Sequence, residues 1–150
     1  MLDRLRKDLR RARAAALSMI PTTTGADKAT SLVIPEVKGK IDGSSIRVPT
    51  PDVSYTILTV EIEKTGATKE SVNAAFKKAA ASGPLQGIIR YSEEELVSSD
   101  FIGDPASCIL DSLVTNVIDG TLVTTQGWYD NEWGYASRCV DMLRFMGSRL

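Results

Sequence analysis

Few side chains in this sequence could exchange protons or attack an electrophile near neutral pH. None of its 150 residues is histidine, which removes the group that most readily titrates near pH 7. The thiols are Cys108, in Pro105-Ala106-Ser107-Cys108-Ile109, and Cys139, in an apolar stretch of helical period. Neither has a base at hand or a C-x-x-C partner for a metal, so both read as small buried apolar residues and no catalytic or metal-ligating residue is assigned. The sequence is richer in cationic chemistry. Arg4, Arg6, Lys7, Arg10, Arg11 and Arg13 crowd one segment, with Asp3 and Asp8 among them. No aromatic residue interleaves these charges for base stacking, so a solvated face is the favoured reading and nucleic-acid binding the alternative. Trp128, Tyr129, Trp133 and Tyr135 read as an aromatic cluster of core and rim.

These residues need elements to hold them. Leu2, Leu5, Leu9, Ala12 and Ala16 recur at helical spacing, which predicts an amphipathic helix over Leu2 to Leu17, stopped by Pro21. Thr22-Thr23-Thr24-Gly25 is a small-residue turn, Ala26 to Thr30 a short helical turn, and Leu32-Val33-Ile34 a buried strand or apolar anchor. Ile46 to Val48 begins a strand. Val53 to Glu63 is the longest one, with Leu58, Val60 and Ile62 on a packed face. Thr68 is an N-cap for a helix through Ala81, ended by Ser82-Gly83-Pro84. Strands are expected at Gly87 to Tyr91, Cys108 to Leu113, Thr115 to Ile118 and Thr121 to Trp128, the last two joined by an Asp119-Gly120 hairpin turn. Asp130 or Asn131 then caps a terminal helix.

The order is not the strict βαβ alternation of a parallel sheet, and no G-x-G-x-x-G follows a strand. A single α+β domain over residues 1–150 is expected, with a mixed, mostly antiparallel sheet and helices packed on one face. The net charge of −1, 43% apolar and 25% charged residues fit a globular chain and argue against a dedicated nucleic-acid or membrane-surface binder. No run approaches the roughly 20 apolar residues of a membrane span, and no apolar signal core follows the N-terminal charges, so a cytoplasmic location is expected.

Five ordered stretches carry a resemblance. They are Lys7 to Ala16 (KDLRRARAAA), Ile20 to Gly25 (IPTTTG), Ile46 to Pro51 (IRVPTP), Leu96 to Phe101 (LVSSDF) and Trp128 to Tyr135 (WYDNEWGY). Together they resemble the C-terminal, catalytic part of phosphorylating glyceraldehyde-3-phosphate dehydrogenase, from about Leu2 to Asp141. The resemblance implies two anion sites: Arg11 and Arg47 for the substrate phosphate, and Thr24 with the Gly25 backbone for the inorganic phosphate that attacks the thioester. It implies that Asn131 contacts the nicotinamide carboxamide and that Tyr135 lies near the nicotinamide. The family's nucleophilic cysteine, in a Ser-Cys-x-x-Asn-Cys segment, and its activating histidine would both precede Met1. These residues alone are therefore expected to be inactive and to need no cofactor, whereas the intact family uses NAD or NADP.

Weakly bound phosphate or sulfate, a homo-oligomer and a complementary N-terminal nucleotide-binding fragment are the partners the resemblance implies, with no nucleic acid and no membrane. Where the family commonly has Pro-His, this chain has Leu5-Arg6, which favours a continuous helix from Leu2. A natural fragment and an engineered, self-assembling domain both fit this pattern.

Overall fold

The computed structural model describes residues 3–150, and its first segment departs at once from the period of its leucines. Asp3 to Leu17 form turns instead of the expected helix, whose first residue, Leu2, lies outside the described residues. Asp8 Oδ1 accepts from the backbone N–H of Arg10 at 3.0 Å and of Arg11 at 3.1 Å. Such an Asx turn offers the backbone an alternative to helical hydrogen bonds. The chain then doubles back: Arg4 N–H donates to the Ala12 carbonyl at 3.0 Å, and Ala14 N–H to Asp3 Oδ1 at 2.7 Å. A helix of this length is marginal in water unless an apolar face packs on something. Leu5, Leu9 and Leu17 are all exposed, so nothing rewards one here.

The chain divides into two compact units, Met1–Pro51 and Asp52–Leu150. In the first, β1 (Ile20–Thr23) pairs antiparallel with β2 (Ser44–Arg47), Ile20 opposite Arg47 and Thr23 opposite Ser44. Between them lie α1 (Ala26–Val33) and a 3-10 turn at Pro35–Val37. The helix runs past the expected short turn and absorbs Leu32 and Val33, which are exposed and not a buried anchor. Once a helical turn exists, each further residue adds one hydrogen bond, which here outweighs the strand preference of a β-branched residue. Pro35 ends the run.

The second unit holds a five-stranded sheet. β3 (Ser54–Glu61) pairs antiparallel along its whole length with β7 (Leu122–Tyr129), from Ser54 opposite Tyr129 to Glu61 opposite Leu122. β7 also pairs antiparallel with β5 (Cys108–Asp111), which is parallel to β4 (Ile89–Ser92). β6 (Asn116–Ile118) forms the hairpin with β7, turned by Asp119 and Gly120 at φ 52° and 68°. Two successive positive φ values give the twist that suits a two-residue hairpin. α2 (Lys69–Ala81) begins at Thr68, whose Oγ1 accepts from Ser71 N–H at 3.2 Å while Ser71 Oγ accepts from Thr68 N–H at 2.9 Å. This reciprocal cap satisfies two amides that a helix start leaves without partners. α2 packs beside β4, and α3 (Trp133–Gly147) closes the chain. The architecture is α+β with a mostly antiparallel sheet.

Val53, Phe101, Ala106 and Ile109 form the core, with Leu96 and Trp128 against it. The Phe101 and Trp128 rings stack at 5.4 Å between centroids. The packed face expected of β3 is not covered: Leu58 and Val60 on one face and Ile57 on the other are exposed. The apolar residues of α3, among them Val140, Leu143 and Phe145, are exposed too. The total accessible surface is 11268 Å², roughly a quarter more than the about 9,000 Å² of two separate compact bodies of these lengths.

Candidate functional site

Arg11 is aimed by its neighbours in sequence and in the sheet. Its Nε donates to Thr22 Oγ1 at 2.6 Å and its Nη2 to Thr23 Oγ1 at 3.3 Å, while Asp8 Oδ2 lies 3.4 Å from Nε. Two threonines of β1 therefore fix the guanidinium that the Asx turn delivers. Arg47 ends β2 directly opposite Ile20. The strand pairing brings both arginines to one open cavity of about 200 Å³, lined also by Arg4, Arg6 and Arg13 and by the apolar Ala12, Ala15 and Ile20. Guanidinium groups present planar forks of donors that match phosphate oxygens.

Thr24 and Gly25 do not line this cavity. They follow Thr23 at the far end of β1, so Thr24 lies four residues beyond the Ile20–Arg47 pair, or about 13 Å along an extended strand. Thr24 Oγ1 accepts from Ala26 N–H at 3.1 Å, and the Gly25 carbonyl accepts from Ala29 N–H at 3.0 Å as α1 begins. No atom lies within 4 Å of a Cβ built on Gly25, so the space beside this turn is open. Arg47 and the threonine-glycine pair thus lie toward opposite ends of β1, with the Arg11 guanidinium between them at Thr22 and Thr23.

Asn131 and Tyr135 belong to the other unit, where α3 begins. Asn131 Oδ1 accepts from the Ser54 hydroxyl at 3.0 Å, and its Nδ2 donates to Glu132 Oε1 at 3.2 Å. Tyr135 is 74% exposed, and a hydrogen bond with Cys139, one turn on, raises its phenol pKa. Asp130 organises this corner and settles which residue caps α3. Its carboxylate is buried and accepts from three backbone amides: Gly103 at 2.8 Å, Glu132 at 2.9 Å and Trp133 at 2.7 Å. Burial works against the charged form, but the amides of Trp133, Gly103 and Glu132 and a bond with Asp52 outweigh it and hold the carboxyl below its ordinary value.

The thiols differ from each other. Cys108 is half-buried, short of the full burial expected, and burial pushes its pKa up, away from thiolate chemistry. Cys139 is exposed, not buried, because the face of α3 that carries it is uncovered. Among the described residues no group of three His, Cys, Asp or Glu is arranged to hold a metal ion, and no helix is long and apolar enough to cross a membrane.

The sequence reading missed Arg4, Arg6 and Arg13 as companions of Arg11 and Arg47, because a helix would have distributed them along a solvated face. The signal that could have found them is Asp8, two and three residues before the arginines whose amides it accepts.

Comparison with known proteins places the chain. Residues 1–131 match the family described as glyceraldehyde 3-phosphate dehydrogenase, C-terminal domain. A glyceraldehyde-3-phosphate dehydrogenase 2 of Streptomyces avermitilis is 59% identical over 150 residues, covering 100% of this chain and 44% of that protein. The glyceraldehyde-3-phosphate dehydrogenase of Geobacillus stearothermophilus is 56% identical over 149 residues, 99% of this chain and 44% of its own length. That of Zymomonas mobilis is 50% identical over 150 residues, with 100% and 44% covered. The chain thus spans less than half the length of these relatives.

Proposed function

From the premise that the chain belongs to the glyceraldehyde-3-phosphate dehydrogenase family, through its C-terminal domain, we propose that it supplies the anion cradle of a phosphorylating aldehyde dehydrogenase. Arg11 and Arg47 hold the phosphate of the aldehyde substrate. The hydroxyl of Thr24 and the amide of Gly25 hold the second, inorganic phosphate. The observation that carries this reading is the convergence of Arg11 and Arg47 on one cavity across the β1–β2 pair.

Such a cradle acts by position and charge. A phosphate caught between two forks fixes the aldehyde carbon at the other end of the substrate, and holding reactants in register converts a bimolecular step into an effectively unimolecular one. Asn131 fits the carboxamide end of a nicotinamide, because its own amide offers one donor and one acceptor to a matching amide. NAD or NADP, when bound, accepts the hydride. The thiolate and imidazole that the family uses lie outside these 150 residues, so the residues alone bind anions and do not oxidise the aldehyde.

Phosphate titration tests the cradle. Phosphate at a hundred times its dissociation constant stabilises a one-site binder by about 2.7 kcal/mol, so the first unit melts higher in phosphate than in chloride of equal ionic strength. Arg47→Gln abolishes that gain if the reading holds; an identical gain in the variant refutes it. NAD reduction with the triose phosphate substrate is absent for these residues alone and returns when an N-terminal fragment carrying the cysteine and histidine is added.

A second reading, self-association, is favoured by the apolar residues left exposed on β3 and α3. Burying such patches against a copy of the chain is strongly favourable. A monomer at every concentration in analytical ultracentrifugation would dismiss it.

A further inference from the structure

We propose that Arg4 and Arg6 make the arginine cavity selective for a diphosphate group, two phosphates joined through one oxygen, over a single phosphate. The proposal rests on the reading of Arg11 and Arg47 as anion ligands and adds to it a ligand class and two residues that set it. Five arginines line the cavity. Arg11 is answered by Asp8 at 3.4 Å and Arg13 by Asp3 at 3.3 Å. Arg4, Arg6 and Arg47 have no carboxylate within ion-pair distance among the described residues.

The five arginines around this cavity therefore carry three charges more than their ion-paired carboxylates balance. One phosphate carries a charge of roughly −1.5 to −2 near neutral pH, which leaves positive charge over, whereas a diphosphate brings more charge and more terminal oxygens for the additional forks. The backbone explains how the extra pair arrives. The Arg4 N–H bond to the Ala12 carbonyl folds the Arg4–Arg6 stretch back against the Ala12–Ala15 stretch, whose alanines line the same space. Size restricts the occupant. At about 200 Å³ the cavity is smaller than the roughly 300–1,000 Å³ of sites that enclose drug-sized ligands, so it takes a small polyanion and does not enclose a dinucleotide.

Isothermal titration of the 150-residue chain with inorganic pyrophosphate and with orthophosphate, at matched ionic strength, tests this. Pyrophosphate binds about tenfold tighter, the effect of two added exposed ion pairs. The double variant Arg4→Gln/Arg6→Gln brings the two affinities to near parity, because it weakens pyrophosphate binding more than orthophosphate binding. Arg10→Gln, which removes a nearby arginine that does not line the cavity, preserves the preference; far-UV circular dichroism checks that the variants fold alike. Equal affinities in the parent, or the same loss in Arg10→Gln as in the double variant, overturns the diphosphate proposal and leaves the phosphate cradle standing. Failure of both anions to bind overturns both.

Discussion

Replacing Asp130 by asparagine changes a single atom of the side chain from oxygen to nitrogen, and the structure fixes what is lost. Oδ1 accepts from Glu132 and Trp133, and Oδ2 from Gly103. Asparagine can keep the first pair through its oxygen, but it turns an NH₂ toward the Gly103 amide and removes the charge that strengthens all three bonds. One hydrogen bond to a charged group contributes about 1.5–3 kcal/mol, and a buried donor left unpaired costs a further about 1–3 kcal/mol. Partial relaxation brings the expected loss to about 2–4 kcal/mol, or roughly 10–25 °C in the melting temperature of a unit of this size. The loss depends on pH with a definite sign. Asp130 is held below its ordinary value of 3.8, so the folded state binds fewer protons there than the unfolded state. Its contribution is complete above about pH 5 and declines as the pH falls through and below that value. Urea denaturation of both proteins from pH 7 down to pH 3 measures this. The difference between parent and variant is large at pH 7 and narrows in acid. A difference below about 0.5 kcal/mol at pH 7, the scatter of ordinary surface changes, or a constant difference across the range, refutes the reasoning.

Other perturbations follow from the same geometry. A Cβ on Gly127 would lie 2.6 Å from Cys108 Sγ, so Gly127→Ala costs about 1–3 kcal/mol by overpacking; in a Cys108→Ala background most of that cost disappears, as a denaturation cycle of the four proteins will show. Gly120 combines φ +68° with a Cβ position 3.0 Å from the Gly66 amide nitrogen, so Gly120→Ala lowers stability by more than about 1 kcal/mol in urea titration. Leu5 is fully exposed within a turn, so Leu5→Pro leaves the far-UV circular dichroism unchanged; a loss of helical signal would contradict the turn assignment. Ile57→Lys on the open face of β3 lowers self-association in sedimentation while changing stability by less than about 0.5 kcal/mol.

What the sequence disclosed was mostly what short-range chemistry decides. The Thr68 cap, the Asp119-Gly120 hairpin and the α+β order are each specified within a few residues, and each is present. The turns of Asp3 to Leu17 were hidden because leucine spacing speaks for a helix only when there is a surface for the stripe to cover, and none covers Leu5 or Leu9. For the same reason the alternation along β3 pointed to a packed face that stands open. Arg11 and Arg47 could be proposed from motifs, but their meeting depends on the Ile20–Arg47 register, and strand register is not written in either segment alone. The distance of Thr24 and Gly25 from Arg47 is a product of the same register.

The most direct test of the cradle is nuclear magnetic resonance of the arginine side chains during a phosphate titration. The Nε–H resonances of Arg11 and Arg47 shift together along one binding curve, and those of Arg138 and Arg144 in α3 stay still. Independent curves for Arg11 and Arg47, or equal shifts at every arginine, would mean that no shared anion site exists.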